Sequence, residues 1–253
     1  MYPINYKNTS KIVLILALLL LVSSVFNYIP WWSIIILFFI YSVILFLGSY
    51  NVCSNFYLNV FCKSGKSKNQ IAITFDDGPD ENNTPKILRI LNDFDTRATF
   101  FVIGHKAEKC PHIIKEMIEK EHLLGNHTYN HSVVFDFYTT SKVLYELERT
   151  NILLEKISKK KIEYFRPPFG VTNPNIAKAL KKNSLKVIGW SIRSLDTIKK
   201  KKTVWSRIAK VKSGDIILFH DTKTLTVEIL GDFLRLCKRK KLEIVTIDEL
   251  INT

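Results

Sequence analysis

The stretch Ile71–Pro79, with the sequence IAITFDDGP, places two adjacent carboxylates directly after a short apolar run. The run Ile71–Phe75 is rich in β-branched and aromatic residues, which predicts a buried strand. Neighbouring side chains on a strand point to opposite faces, so Asp76 and Asp77 can serve one site only if the chain turns there. Gly78-Pro79 is a typical turn sequence. The stretch predicts a strand with a polar site at its carboxyl end, and an ordinary surface turn is the alternative.

Around this strand, short β-rich runs alternate with stretches whose apolar residues have helical spacing. The predicted strands are Ile71–Phe75, Ala98–Ile103, Leu185–Ile192, Asp215–Phe219 and Leu242–Ile247. The predicted helices are Thr84–Phe94, Pro111–Glu121, Lys142–Ser158, Pro174–Lys182, Val204–Val211 and Thr226–Lys240. This alternation predicts an α/β fold with a mostly parallel sheet covered by helices, either an open doubly wound sheet or a closed barrel.

Unusual polar residues follow several predicted strands at their carboxyl ends. They are Asp76-Asp77, His127, Arg166, Asp196 and His220-Asp221. Convergence of many strand ends on one mouth is typical of a (β/α) barrel. The sequence therefore favours the barrel.

Two histidines four residues apart lie in the stretch Gly125–His131, with the sequence GNHTYNH. This spacing can place His127 and His131 on one side of a helical turn, as in many metal sites. A pair of surface histidines is the alternative. Together with Asp77 they form a His-His-carboxylate set, which leaves coordination positions open for water and substrate.

Two further motifs carry charged side chains after strands. In Tyr164–Gly170, with the sequence YFRPPFG, Arg166 can hold a carboxylate through a charge-assisted hydrogen bond. The two prolines stiffen this loop and are expected to leave the amides of Phe169 and Gly170 free to point at a ligand. His220 ends the predicted strand Asp215–Phe219. A rigid surface loop and a buried, internally satisfied histidine are the alternatives.

Taken together, these motifs resemble those of the polysaccharide deacetylases, carbohydrate esterase family 4, whose shared region is the nodulation-type (NodB) chitooligosaccharide deacetylase homology domain. The resemblance covers about Ile71 to Ile247. The matching residues, in order, are Thr74–Pro79, Arg97–Gly104, His127 with His131, Arg166–Gly170, and Leu218 with His220. The resemblance implies a deformed (β/α) barrel with about seven parallel strands.

The same resemblance implies a divalent ion held by Asp77, His127 and His131. Zn²⁺ is the expected ion, with Co²⁺ or another divalent ion as the alternative. Asp76, not coordinated, would be the general base that takes a proton from the attacking water.

The resemblance also implies roles for residues on the far side of the metal site and for the residues that line the substrate pocket. His220 would be the general acid for the leaving amine, and Asp196 would keep it cationic. Arg166 would orient Asp76. The backbone N–H of Phe169 would stabilise the oxyanion, and Leu218 with Pro168 would form the pocket for the acetyl methyl group.

One region departs from the family pattern. Relatives usually carry an Asp-Trp pair where this chain has Asp196-Thr197, and an acidic residue where it has Arg193. Asp196 is expected to keep its role. Trp190 lies inside the predicted strand Leu185–Ile192, so it is not expected to rebuild the groove wall that the missing tryptophan forms.

The resemblance predicts a hydrolase acting on an N-acetylated carbohydrate, such as an N-acetylglucosamine-containing glycan or a lipid-linked sugar. Hydrolysis of O-acetyl groups, as on acetylxylan, is the alternative within enzymes. A non-catalytic carbohydrate-binding relative is the alternative outside them. It is disfavoured because both aspartates, both histidines, Arg166 and His220 are all retained.

The amino-terminal part has a different composition. Between Lys11 and Lys63 there is no acidic or basic residue, and two apolar runs, Ile12–Phe26 and Trp31–Leu47, are separated at Pro30. This pattern predicts a transmembrane two-helix hairpin, although each run is near the lower length limit for a span. A cleaved signal peptide leaves the second run unexplained, and buried core helices rarely run so far without a charge.

The hairpin predicts a protein integral to the plasma (inner) membrane that contacts lipid. The expected domains are residues 1–50 as two transmembrane helices, 51–70 as a linker and 71–253 as the catalytic domain. The lysines flanking the two spans favour a cytoplasmic domain, whereas the family resemblance favours an external one. The balance of these arguments tips slightly toward the cytoplasm.

The four cysteines show no CxxC spacing, so neither a zinc knuckle nor a thioredoxin-type site is indicated. Cys53 and Cys62 can pair if their segment faces an oxidising compartment, but free thiols are expected.

The net charge of +14 includes lysine clusters between the predicted elements, as is ordinary for solvated loops. No aromatic-interleaved basic stripe accompanies them, so nucleic acid is not an expected partner. Protein partners are not indicated.

Overall fold

The computed structural model describes residues 4–252; residues 1–3 and 253, at the outer ends of the predicted 1–50 and 71–253 segments, lie outside the described residues. The strands are β1 Val60–Phe61, β2 Gln70–Asp76, β3 Thr99–Val102, β4 Leu123–Asn126, β5 Tyr164–Phe165, β6 Lys186–Ile188, β7 Ile192–Arg193, β8 Ile216–His220 and β9 Glu243–Val245. The helices are α1 Tyr6–Val25, α2 Trp32–Tyr50, α3 Thr84–Asp93, α4 Gly104–Lys109, α5 Pro111–Glu119, α6 Thr140–Ser158, α7 Pro174–Asn183, α8 Lys201–Ile208, α9 Thr224–Arg239 and α10 Ile247–Ile251.

The strands form a single parallel sheet in the order β1-β6-β5-β4-β3-β2-β8-β7, with β9 also paired to β2. In this order β6 and β7 lie near opposite ends of the sheet, yet only residues 189–191 separate them. Four residue steps span at most about 14 Å, so the sheet must curl until its two ends approach each other. The connection itself bonds to both ends: Gly189 N donates to Phe61 O and Ser191 N donates to Ile216 O.

The predicted deformed (β/α) barrel is therefore confirmed, with nine short strands among residues 4–252 rather than about seven. The six predicted helices and four of the five predicted strands lie within three residues of their predicted bounds. The predicted strand Leu185–Ile192 is wrong as one element, because the chain leaves the sheet after Ile188 and rejoins it at Ile192. Gly189 lies at this break, where an added Cβ would stand 2.4 Å from the sulfur of Cys62.

Helices α1 and α2 are long and apolar enough to cross a membrane. Their side chains are mostly exposed within the chain, and only Val13 and Gly48 are buried in them. The two helices contact each other, and Ser10 Oγ lies 2.8 Å from the Tyr41 hydroxyl. Such an apolar surface with little protein cover is what a lipid-facing hairpin presents.

The segment 51–70, predicted as a linker, contains ordered structure. Strand β1 pairs in parallel with β6, and Lys63 forms an ion pair of 2.8 Å with Asp215. Ser49 at the end of α2 and Thr172 exchange hydrogen bonds of 2.5 and 3.1 Å. The hairpin is thus held directly against the barrel.

Cysteines 53 and 62 form a disulfide bond, so the expectation of free thiols is wrong for this pair. The bond closes the loop between α2 and β1. Cys110 and Cys237 are free, as expected, and both are buried.

Candidate metal and catalytic site

A cavity of about 150 Å³ opens at the carboxyl ends of the strands. It brings together residues that are far apart in the sequence. Its lining consists of Asp76, Asp77, His127, His131, Phe169, Gly170, Trp190, Arg193, Thr197, Leu218 and His220. Of the predicted site residues, Arg166 and Asp196 are buried directly behind this lining.

The two adjacent aspartates face one cavity because the chain turns between them. Asp76 ends β2, and Asp77 has a φ of 72°, in the left-handed region. The turn is held by Lys106, whose ammonium group donates to the Asp77 carbonyl at 2.7 Å. The predicted turn after β2 is thus present.

The two histidines lie on a loop, and the prediction of a helical turn is wrong for them. The loop follows β4, and its residues Thr128 and His131 have φ values of 65° and 48°. Glu146 of α6, itself buried, accepts hydrogen bonds from the Tyr129 and Asn130 amides at 3.0 and 2.8 Å. This loop brings the imidazole centroids of His127 and His131 to 4.8 Å from each other.

Asp77, His127 and His131 have the spacing that one divalent ion requires. The Asp77 Oδ1 atom lies 3.5 Å from His127 Nε2 and 3.3 Å from His131 Nε2. Two ligands bound at about 2.0–2.1 Å to one tetrahedral zinc ion are about 3.3–3.4 Å apart. Both distances from Asp77 are close to this value, and all three donor atoms lie within 4.8 Å of one another, so the set could hold one such ion. His127 Nδ1 lies 2.7 Å from the Arg166 carbonyl, and donation there leaves Nε2 free as a metal ligand.

The protonation states of these groups suit a metal site. Burial, together with the neighbouring His127, lowers the pKa of His131 to about 4, so its imidazole is neutral and able to ligate. Burial opposes ionisation of Asp77, but the adjacent imidazoles, His127 foremost, hold the pKa of Asp77 well below its usual range, so its carboxylate is ionised and able to ligate.

Arg166 is fully buried and bonds directly to Asp76, with Nη1 to Oδ1 at 2.7 Å. The same nitrogen lies 2.7 Å from the Thr74 hydroxyl, and Nη2 donates to Gly189 O at 2.7 Å. Nε donates to Ile188 O at 3.1 Å, so each guanidinium nitrogen has a partner. This fixes the Asp76 carboxylate and leaves its second oxygen facing the cavity side, 3.9 Å from His127 Nε2.

His220 and Asp196 form a second buried pair on the opposite side of the cavity. His220 Nδ1 lies 2.7 Å from Asp196 Oδ1, and the His220 amide donates to Asp196 Oδ2 at 2.7 Å. Burial alone would lower the pKa of His220, but the hydrogen bond and charge of Asp196, with Asp76 and Asp77 nearby, raise it above its ordinary value. The imidazole Nε2 faces Asp77 Oδ2 at 4.0 Å.

Comparison with known proteins agrees with this geometry. A protein-family model described as polysaccharide deacetylase matches residues 63–188. A peptidoglycan-N-acetylglucosamine deacetylase of Bacillus cereus is 33% identical over 191 residues, which is 72% of this chain and 87% of that protein. This chain belongs to the polysaccharide deacetylase family.

Two further relatives support the assignment. The peptidoglycan-N-acetylmuramic acid deacetylase PdaA of Bacillus subtilis is 30% identical over 199 residues, 76% of this chain and 75% of that protein. A solved peptidoglycan N-acetylglucosamine deacetylase structure, Bc1960, superimposes with a TM-score of 0.71 at 28% identity, covering 76% of this chain and 92% of the other. Deacetylases of this family are metal-dependent, in keeping with the Asp-His-His set.

The loop after β5 differs from its prediction in two respects. The Gly170 amide is not free, because it donates to Pro167 O at 3.1 Å. Pro168 is buried but is not among the residues lining the cavity, whereas Phe169, Gly170 and Leu218 are. Of the two residues predicted to form the acetyl pocket, Leu218 lines the cavity and Pro168 does not.

Trp190 lines the cavity, contrary to the expectation from the sequence. It lies outside the strands, between β6 and β7, because the predicted strand ends at Ile188. Its indole packs against Gly170, where an added Cβ would stand 2.3 Å from the ring. Trp190 therefore supplies an aromatic wall in this polysaccharide deacetylase. Position 197, where the family resemblance leads us to expect tryptophan, holds threonine.

Several supporting residues gave no usable signal in the sequence. Glu146 lies on an amphipathic helix, where a carboxylate is ordinarily solvated. Ser194 and Thr226 donate to Asp196 at 2.9 and 2.6 Å, and Thr74 anchors Arg166. Their roles depend on contacts across the fold and not on local patterns.

Proposed function

We propose that this chain is a metal-dependent hydrolase that removes acetyl groups from an N-acetylated glycan, with peptidoglycan sugars as the leading substrates. The observation that carries the proposal is the Asp77-His127-His131 set, flanked by the Asp76–Arg166 and His220–Asp196 pairs. The curated relatives named for peptidoglycan deacetylation support the choice of glycan.

A divalent ion held by Asp77, His127 and His131, Zn²⁺ by preference and Co²⁺ or another ion as an alternative, supplies Lewis acidity to the acetyl carbonyl when bound. The donor atoms are two imidazole nitrogens and one carboxylate oxygen, a set typical of catalytic sites with open coordination positions.

Asp76 accepts the proton of the attacking water in this proposal. It is suited to this because Arg166 fixes its Oδ1 atom and the carboxylate reaches the cavity. The Phe169 amide is the proposed donor to the developing oxyanion, and Leu218 contacts the acetyl methyl group.

His220 donates a proton to the leaving amine. An amine leaves poorly until it is protonated, so a histidine with a raised pKa suits an amide substrate. An alcohol is a better leaving group than an amine, so hydrolysis of an O-acetyl group depends less on proton donation by His220.

The direct test is acetate release from a panel of acetylated glycans by the purified full-length chain. The panel holds peptidoglycan strands, chitooligosaccharides, a lipid-linked N-acetylated sugar and O-acetylated xylan. We expect acetate from the N-acetylated members, with new free amines in equal amount. Acetate from xylan alone would replace the proposal with an O-acetyl esterase.

The amino-terminal hairpin is proposed to anchor the enzyme in the plasma membrane, with residues 1–50 in contact with lipid and residues 71–253 forming the catalytic domain. The segment 51–70 then joins the two and adds β1 to the barrel. The Cys53–Cys62 disulfide supports an oxidising location for the domain, so we favour the outer face over the cytoplasmic one.

The orientation predicts the labelling of single added cysteines in intact cells. A membrane-impermeant thiol reagent should label Lys199→Cys, in an exposed loop, without permeabilisation. Asn27→Cys, in the turn between α1 and α2, should be labelled only after permeabilisation, because a hairpin places its turn on the other side. The native free cysteines are buried and give little background. The reverse pattern would place the domain in the cytoplasm and favour a lipid-linked sugar as substrate.

A further inference from the structure

Arg193 lies beside the acetyl pocket. It is on β7, in parallel register with Leu218 of β8. Register partners on parallel neighbouring strands point to the same side of the sheet. Both side chains accordingly line the same cavity as the candidate metal ligands and His220.

The guanidinium of Arg193 has no acceptor within the described part of the chain. Its Nε atom is buried without a hydrogen-bond partner, and no ion pair involves this side chain among residues 4–252. Its guanidinium carbon lies 5.8 Å from the centroid of the Trp190 ring. Arg166, by comparison, is paired at each nitrogen.

An unpaired buried donor is costly, so its presence in a ligand cavity points to an acceptor that arrives with the ligand. A guanidinium matches a carboxylate in both charge and planar geometry. The acceptor expected at Arg193 is therefore an anionic group on the substrate.

The rest of the cavity lining supports the same assignment. Arg193 is the one lysine or arginine in the cavity lining as described, and Thr197, which also lines the cavity, is small and uncharged. The cavity wall beside the acetyl pocket thus carries a positive charge.

We infer that Arg193 is a specificity-determining residue that binds a carboxylate carried next to the acetamido group of the sugar. The substrate class is an N-acetylated hexosamine with a carboxylate-bearing ether on the neighbouring ring carbon, which is the chemistry of N-acetylmuramic acid. The inference rests on the proposed deacetylase function. The inference adds that the enzyme recognises the sugar by its free carboxylate and not by the glycan chain alone.

The test compares three matched saccharides with the full-length chain loaded with zinc. One carries N-acetylmuramic acid with a free carboxylate, the second carries the same sugar with that carboxylate converted to an amide, and the third contains N-acetylglucosamine only. We expect kcat/KM for the free carboxylate to exceed that for the amide roughly 10–100-fold, the usual effect of one charge-assisted hydrogen bond.

Substitution of the arginine provides the second arm. Arg193→Gln should bring the ratio of kcat/KM for the free carboxylate over the amide close to unity, and Arg193→Lys should retain part of it. Arg235→Gln is the matched control, because Arg235 is exposed and pairs with Asp232 on the surface of α9. It should leave the ratio at the wild-type value.

Equal kcat/KM for all three saccharides in the wild-type chain would overturn the inference and leave the proposed function intact. The same would follow if Arg193→Gln lowered all three rates in equal proportion. If no saccharide released acetate, the proposed function would fail, and calorimetric Kd values would still decide the inference. Tighter binding of the free carboxylate than of the amide, lost in Arg193→Gln, would support it, and equal Kd values would overturn it.

Discussion

Replacing Asp76 by Asn should reduce acetate release roughly 10²–10⁴-fold, the usual contribution of a general base, without removing the metal ion. The amide of Asn has almost the same shape as the carboxylate but cannot accept the proton of the attacking water at neutral pH. The ion is expected to stay because Asp76 lies outside the Asp77-His127-His131 donor set.

Asp76→Asn also has a cost in stability, because it removes the counter-charge of a fully buried arginine. Loss of one partner of a buried ion pair costs roughly 3–5 kcal/mol. The expected cost is toward the lower end, because the Asn oxygen and the three remaining acceptors still bond to Arg166. Denaturant unfolding measures this cost, and the kinetics are then compared on folded protein.

Asp77→Asn is the matched control on the neighbouring residue. It should weaken divalent-ion binding, measured as metal content after dialysis, and its activity should recover in part at high zinc concentration. If Asp76→Asn lost the ion and Asp77→Asn kept it, the roles assigned to the two carboxylates would be wrong.

Replacing His220 by Ala should lower kcat roughly 10²–10⁴-fold, the usual contribution of a general acid, with the metal content unchanged. The loss should be larger for amide substrates than for aryl acetates with good leaving groups, because only the amine needs the proton. Equal losses on both substrate types would argue against the role of His220 as the acid.

Asp196→Asn tests the same role through pH. His220 is active when protonated, so activity should fall as pH rises through its pKa, which Asp196 raises. Removing the Asp196 charge lowers that pKa, and the alkaline limb of the kcat profile should move to lower pH. An unchanged alkaline limb would mean that another group sets it.

The candidate site could be predicted from the sequence wherever a functional residue directly follows a strand. Asp76, Arg166 and His220 each end or follow a buried apolar run, and parallel strands bring such ends to one edge of the sheet. Their convergence therefore follows from the strand pattern. Asp76 and His220 line one cavity with Asp77 and both histidines, and Arg166 lies behind the lining, paired with Asp76.

Local conformation was less predictable, because it depends on distant contacts. The loop carrying His127 and His131 is fixed by buried Glu146 from α6, a contact across more than a dozen residues. Strands β1, β5 and β7 have two residues each, too few for any periodicity to register.

The break that exposes Trp190 to the cavity depends on how the two ends of the curled sheet meet. The apolar run Leu185–Ile192 has the pattern of one continuous strand. A hydrophobicity pattern carries no information on the close contact between Gly189 and Cys62, which forms only in the folded chain. The cysteine pair itself could not be decided from spacing, because pairing depends on the redox state of the compartment.

The most direct measurement of the central claim is acetate release from an N-acetylated peptidoglycan strand by metal-free protein during titration with zinc. The account predicts no release after chelation, recovery that saturates at one ion per chain, and no recovery at that ratio when His131 is replaced by Ala. Full-rate acetate release from the metal-free chain would contradict the account.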